Sequence, residues 1–153
     1  MNESALPDHT FPTSAQFAAF ASSVEAGTDG PIVMLNLNRY RERAEYADGR
    51  DAEGLSGREV YLRYGVVAQR ALAAVGGRVL WATTADVPVI GCDHDAIDEV
   101  LAVWYPSRSA FLALTDQDGY VEALQHRAAA LDRAALIPCA AGPEPVLTSP
   151  LDA

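Results

Sequence analysis

The sequence predicts an α+β fold, and three observations carry that prediction. Several short stretches alternate apolar and polar residues, two longer stretches repeat at helical spacing, and the order after a short leading helix is β, α, β, β, α, β. A length of 153 residues fits one domain that buries roughly two-thirds of the surface its unfolded chain exposes. Half of the residues are apolar, but 28 of them are alanine, so the set able to anchor a core is modest.

Each element has its own signal. Residues 13–25 read as a helix, capped by Thr13 or Ser14, with Phe17, Phe20 and Val24 at spacings of three and four and a stop at Gly27 and Gly30. Pro31 opens IVMLNLNRY, which places Val33, Leu35 and Leu37 on one face and Met34, Asn36, Asn38 and Tyr40 on the other. Residues 41–57, rich in arginine, acids and glycine, read as a solvated loop of a length that is often functional. From Ser56 or Gly57 to about Val75, a helix gathers Val60, Tyr64, Val67, Ala68, Ala71 and Val75 within about 100° of arc, and Gly76 and Gly77 stop it. Tyr64 falls near the centre of that arc, so its hydroxyl needs a partner in the core or lines a cavity.

RVLWATTA and PVIGC read as strands or a bent strand pair, separated by Asp86 and broken by Pro88. Residues 93–99 turn into a further strand, with Val100, Ala102 and Trp104 on one face and Leu101, Val103 and Tyr105 on the other. Pro106 and Ser107 open a second helical segment, which breaks at 116–119 and resumes from Tyr120 to about Arg133. ALIPCAA reads as a last short strand, which Pro138, lacking a donor, makes an edge or bulged strand. The expected organisation is an N-terminal extension with its helix over 1–30, a core domain over 31–140 and a tail over 141–153.

This order is the split βαβ or ferredoxin-like plan, with two helices on one face of a four-stranded antiparallel sheet. Met34, Trp81 and Val103 are expected on the face left open. Covering them calls for a second sheet, most economically from a second copy, so a homodimer with face-to-face sheets is predicted.

Charge and motifs exclude several classes. All 11 basic residues are arginine, set against 21 acids, for a net charge of −10. No basic stripe for phosphates or basic amphipathic helix for a membrane surface is visible, so neither nucleic acid nor membrane is an expected partner. Without lysine, Schiff-base chemistry by a side chain is excluded, and anions must be met by guanidinium groups. The first ten residues carry acids and no base, unlike a signal peptide, and a cytoplasmic protein is expected. Cys92 and Cys139 lack metal or redox spacing and read as small buried hydrophobes. The acids from Asp86 to Glu99 around His94 read as a solvated turn, because a soft Cys beside hard carboxylates suits no single metal. No metal and no organic cofactor is predicted.

The runs PIVMLNLNRY, YLRYGVVAQRALAAVGGRVLW, VLAVWYPSRSAFLAL and GYVEALQHRAAALDRAALIP resemble the family catalogued as domain of unknown function 1330. The marks are the first-strand Leu-Asn-Leu, Gly76-Gly77-Arg78, Tyr105-Pro106-Ser107-Arg108, Phe111, Tyr120 and Arg127-Ala128-Ala129, across 31–140. The resemblance implies a dimeric α+β barrel. It implies no reaction, since the wider superfamily holds cofactor-independent monooxygenases, haem-degrading enzymes, isomerases, cyclases and ligand sensors.

The candidate site begins with Asn36 and Asn38. Two amides on one face of a central strand each cost about 1–3 kcal/mol if buried unpaired, so something must satisfy them, either a ligand or neighbouring protein. Tyr64 and Trp81 supply an aromatic wall, Trp104 a further ring, and Arg108 and Arg127 two guanidinium groups near element edges. His126 projects away from the apolar stripe of its helix and is expected to face solvent or an interface.

Two functions follow. In the first, a cofactor-independent enzyme, monooxygenase- or cyclase-like, acts on an aromatic or polyketide-like metabolite: Asn38 and Tyr64 polarise a carbonyl, while Asn36, Trp81, Trp104, Arg108 and Arg127 bind the substrate. In the second, the same fold is a non-catalytic dimeric ligand-binding or accessory module. It requires Asn36 and Asn38 to be hydrogen-bonded internally, with no cleft opening near Tyr64.

Overall fold

A computed structural model describes residues 10–151. The sequence reading of residues 1–9 and the end of the tail lie outside the described residues. The elements are α1 (Ser14–Glu25), β1 (Ile32–Tyr40), α2 (Gly57–Ala74), β2 (Arg78–Thr84), β3 (Glu99–Tyr105), α3 (Arg108–Leu112), α4 (Tyr120–Ala130) and β4 (Leu131–Ala140). The four strands form one antiparallel sheet in the order β2-β3-β1-β4, with β1 central, the ferredoxin-like arrangement expected from the element order.

Local chemistry accounts for the boundaries. Thr13 and Ser56 cap α1 and α2 through reciprocal capping boxes with Gln16 and Glu59, each satisfying two backbone donors that a helix start leaves over. Gly76 turns the chain at φ +79°, where a side chain would be strained. Gly77 follows with no room for a Cβ, which would meet Leu72 Cδ1 at 2.2 Å. Helix α4 stops at Ala130, short of the expected Arg133, because Leu131 already enters β4 with an extended backbone. Pro138 sits on β4, an edge strand paired only with β1, as its missing donor requires.

The sheet separates two packing environments. Cross-strand neighbours point to the same side, so Met34 shares a side with Val103. Both pack with Ile32, Ala71, Leu72, Tyr105, Leu114 and Tyr120 beneath the helices. Val33, Ala102 and Trp104 form a separate cluster on the opposite side. Met34 and Val103 therefore lie under α2 and α4, not on the open face where they were expected; of the three residues assigned to that face only Trp81 is there. A row Trp81, Ala102, Leu35, Ile137 crosses this side through successive strand pairs. Its two ends stay uncovered, Trp81 at 47% and Ile137 at 44% exposure. Trp104 Nε1 donates to the Gly142 carbonyl at 3.1 Å, which brings the start of the tail against the same face.

Two loops depart from their composition. The segment after β1 is packed: Tyr46 and Ala52 are buried with Val60, Ala129 and Ala130, and Arg41 N and Glu45 N donate to the Ala130 and Ala129 carbonyls at 2.8 and 3.0 Å. The expected second strand at PVIGC is absent from the sheet. That segment belongs to an exposed loop between β2 and β3, with Val89 and Ile90 almost fully in solvent. Cys92 is exposed in the same loop and Cys139 half-buried, so neither is the buried hydrophobe expected.

Candidate functional site

Strand alternation turns Asn36, Asn38 and Tyr40 toward the helices, and register places Glu99 of β3 opposite Asn38. Asn38 is 1% exposed, and its Nδ2 donates to the Tyr61 hydroxyl at 3.2 Å. Asn36 Nδ2 donates locally to the Met34 carbonyl at 3.1 Å. The Tyr40 hydroxyl donates to Glu99 Oε1 at 2.8 Å, and Arg58 Nε meets Glu99 Oε2 at 3.2 Å. The first turn and a half of α2 thus brings Arg58 and Tyr61 onto this strand face, and Tyr61 is the partner of the buried Asn38 amide. Among the described residues, no buried side-chain nitrogen or oxygen lacks a partner.

From Tyr40 a row of rings runs inward. Centroid distances are 5.2 Å from Tyr40 to Tyr61, 5.3 Å from Tyr61 to Tyr64 and 6.0 Å from Tyr64 to Tyr120. The Tyr64 and Tyr120 hydroxyls are 3.1 Å apart, one donating to the other. Burial pushes the Tyr61 phenol up to about 12, with the neighbouring Tyr64 adding to the effect. Tyr40, Tyr64, Tyr105 and Tyr120 are raised as well, burial being the largest cause in each. These phenols stay protonated near neutrality and act as hydrogen-bond groups, not as bases.

At the Tyr40 end a cleft of about 370 Å3 opens, lined by Tyr40, Arg41, Glu42, Ser56, Arg58, Thr84, Asp98 and Glu99. It mixes both charges. Asp98 Oδ2 accepts the Tyr40 amide at 2.7 Å, and Glu99 is held by Tyr40 and Arg58. Arg58 uses Nε for Glu99 and sets its guanidinium 5.6 Å over the Tyr40 ring, and among the described residues its terminal nitrogens make no hydrogen bond.

The expected site residues thus separate. Asn36, Asn38 and Tyr64 share the helix side of the sheet, with Tyr61 between the last two. Trp81 and Trp104 do not join them, because both pair on the opposite face, Trp81 with Ala102 and Trp104 with Val33. The Arg108 guanidinium lies 5.2 Å over the Phe20 ring of α1 and is a packing contact. Arg127 stands near the row of rings, where its charge acts on Tyr61, Tyr64 and Tyr120.

His126 does not face open solvent. Its Nδ1 lies 2.7 Å from the Tyr46 hydroxyl, which also accepts from Arg63 Nη1 at 3.2 Å. Burial and the nearby Arg50 and Arg63 charges hold the imidazole below its ordinary value of 6.5. With Arg63 donating to that hydroxyl, the phenol proton is directed at Nδ1, an arrangement that needs neutral His126. The acids of the β2–β3 loop cap the chain itself: Asp95 Oδ2 accepts the Cys92 amide at 2.8 Å.

Sequence reasoning missed Tyr40, Glu99, Arg58 and Tyr61. Tyr40 lay on the correct face by alternation, and Tyr61 precedes Tyr64 by three residues, a spacing that puts two rings side by side on a helix. Glu99 carried no such signal, because only strand register brings it to Asn38.

The fold and its helix-side site define a ferredoxin-like α+β protein with a polar aromatic interior. No family model and no curated protein matches the chain. Among solved structures, that of the methylated RPA0582 protein matches with a TM-score of 0.76 and 36% identity, covering 88% of this chain and 95% of that one. A second structure of RPA0582, described as a protein of unknown function from Rhodopseudomonas palustris, matches with a TM-score of 0.74 and 35% identity over 86% and 95%. The chain belongs to the RPA0582 family. Among the described residues, no helix is long and apolar enough to cross a membrane.

Proposed function

We propose that the protein is a cytoplasmic homodimer of the α+β barrel type, of the kind catalogued as domain of unknown function 1330, and that it binds a small polar molecule without transforming it. The observation that carries this reading is the internal pairing of the groups that catalysis would need. Asn38 is bound to Tyr61 and Tyr64 to Tyr120, and neither lines the cleft where a substrate carbonyl would have to lie. The cleft at Tyr40, Arg58 and Glu99 supplies the binding surface, and the free nitrogens of Arg58 favour a ligand with carbonyl or carboxylate oxygens. Support for the dimer comes from the half-exposed Trp81 and Ile137 on the sheet face away from the helices.

Native mass spectrometry of freshly purified protein tests both parts. The expected spectrum is a dimer that carries a small molecule, which is lost in Arg58→Ala. A monomer at micromolar concentration would remove the dimer. A retained molecule unaffected by Arg58→Ala would remove the cleft, and chemical conversion of that molecule on incubation would restore the enzyme reading.

A further inference from the structure

The cleft at the end of β1 is built around Tyr40, which three charged side chains hold from different sides. Asp98 Oδ2 accepts the Tyr40 amide at 2.7 Å, Glu99 Oε1 accepts its hydroxyl at 2.8 Å, and the Arg58 guanidinium lies 5.6 Å over its ring. Each of these groups has a second anchor. Arg58 Nε meets Glu99 Oε2 at 3.2 Å, while the backbone of Asp98 donates to the Asn38 carbonyl at 2.8 Å and accepts from Ala85 N at 2.9 Å. The charges of the cleft are therefore set in place by the protein's own bonds, and a ligand that meets them orders little further.

What these bonds leave over has both signs. Among the described residues, Asp98 Oδ1, the Glu42 carboxylate, the Thr84 hydroxyl and the terminal nitrogens of Arg58 make no hydrogen bond or ion pair. Arg41 spends Nε on the Leu131 carbonyl at 3.1 Å. The lining sets two guanidinium groups, Arg41 and Arg58, against three carboxylates, Glu42, Asp98 and Glu99, so negative charge is in excess by one. A ligand with a carboxylate alone would meet Arg58 and be opposed by that excess. A ligand with a cation alone would leave the Arg58 nitrogens without an acceptor. A metal ion does not fit these acids, since among the described residues no three His, Cys, Asp or Glu converge as ligands.

We propose that the ligand of this cleft is a free α-amino acid, its carboxylate on the terminal nitrogens of Arg58 and its ammonium on Asp98 Oδ1, with Glu42 and Thr84 beside it; this rests on the cleft being the binding site proposed above. Arg58 is anchored on Glu99 and the free acceptor belongs to Asp98, so the two poles are held by consecutive residues. That placement suits a ligand whose opposite charges are close together. A planar guanidinium can take a carboxylate through two parallel hydrogen bonds, and an ammonium brings three donors to the oxygens opposite. The volume of about 370 Å3 is at the low end for small-molecule sites, and every lining residue carries a polar group, which fits a compact zwitterion.

Thermal-shift titration of the full-length chain with each of the common L-amino acids identifies the binder, and calorimetry compares it with its analogue lacking the α-ammonium. At least one amino acid is expected to raise the unfolding midpoint. Its desamino analogue is expected to bind about tenfold more weakly, the loss of a charge-assisted contact. Asp98→Asn keeps an oxygen for the Tyr40 amide and removes the charge. It is expected to weaken the amino acid about tenfold and to leave the desamino analogue bound equally or more tightly, a split that general loss of structure would not produce. Glu42→Gln changes an exposed residue and answers even if Asp98→Asn folds poorly, with an expected loss of about threefold for the amino acid alone. No amino acid binding, equal affinity for the amino acid and its desamino analogue, or unchanged amino-acid affinity in both variants would overturn the proposal. The cleft itself is judged separately. If the desamino analogue, or a molecule retained in native mass spectrometry, is lost in Arg58→Ala, the cleft stands as a carboxylate site although the amino acid is ruled out. Amino-acid binding that survives Arg58→Ala removes both.

Discussion

The loops after β1 and after β2 sit at the same end of the sheet and are held in opposite ways. The first carries most of the charge of the chain's middle, yet buries Tyr46 and Ala52 against α2 and α4. Backbone amides at Arg41 and Glu45 bond to the last carbonyls of α4, and Tyr46 reaches His126 and Arg63. The second carries Val87, Val89 and Ile90 and leaves all three exposed, at 78%, 99% and 95%. It is tethered by backbone carbonyls: Arg39 Nη1 donates to Asp93 O at 3.4 Å, and Arg133 donates to His94 O. The difference teaches that burial of a loop follows where its hydrogen bonds are satisfied, while composition sets only the cost of leaving it outside.

The comparison breaks most readily at Gly57, where the first loop meets α4. A Cβ there would stand 2.3 Å from the Ala130 carbonyl oxygen and 2.6 Å from that of Arg41, both backbone atoms. Gly57→Ala is expected to cost about 3 kcal/mol or more in urea unfolding, the upper range of overpacking. A loss below about 1 kcal/mol would mean that the loop is not docked as described.

Alkaline titration probes the interior that the first loop helps to close. Folded tyrosines raised above their ordinary value of 10.0 contribute stability that is complete below about pH 10 and is lost as pH climbs through their folded values. Unfolding midpoints are therefore expected to fall steadily above pH 10, and Tyr64→Phe should flatten the slope. A midpoint that holds to pH 12 would show the phenols to be solvated.

Tyr46→Phe removes the hydroxyl shared by His126 and Arg63 and is expected to cost about 1–2 kcal/mol. The His126 linkage has the opposite sign to that of the tyrosines. Its folded value lies below 6.5, so its contribution is present above that pH and is lost as pH falls through the folded value. Stability should therefore drop below about pH 6.5, and His126→Gln should remove that part of the slope. An unchanged acid limb in His126→Gln would assign it to the carboxylates instead.

The smallest effect is expected in the second loop. Val89→Ser with Ile90→Ser should change the stability of the subunit by less than about 0.5 kcal/mol, because neither side chain is covered. If the chain forms the dimer proposed above and the tip lies outside its contact, sedimentation at low micromolar concentration will be unchanged, whereas dissociation would place the tip inside.

The residues show how far the sequence can be read. Capping boxes at Thr13 and Ser56, the alternation of β1 and the proline of β4 depend on neighbours a few residues away, and the expected elements follow from them. Alternation also grouped Asn36, Asn38 and Tyr40 correctly. It could not say which group faced the helices, since both sides of β1 are largely apolar at its start, and the assignment of Met34 and Val103 to the open face failed for that reason. The second strand at PVIGC failed because β-branched residues suit a strand but do not by themselves supply a partner for its backbone.

What the sequence determined by itself was local: the order and kind of the elements, the absence of lysine chemistry, and a polar strand face that had to be satisfied. The tertiary structure decided which groups meet. Glu99 reaches Tyr40, Tyr61 reaches Asn38, Tyr46 reaches His126, and Arg127 reaches the Thr10 carbonyl. Each of these contacts joins residues far apart in the chain, and their partners are set by strand register and helix docking, which depend on packing the whole molecule and not on any local pattern.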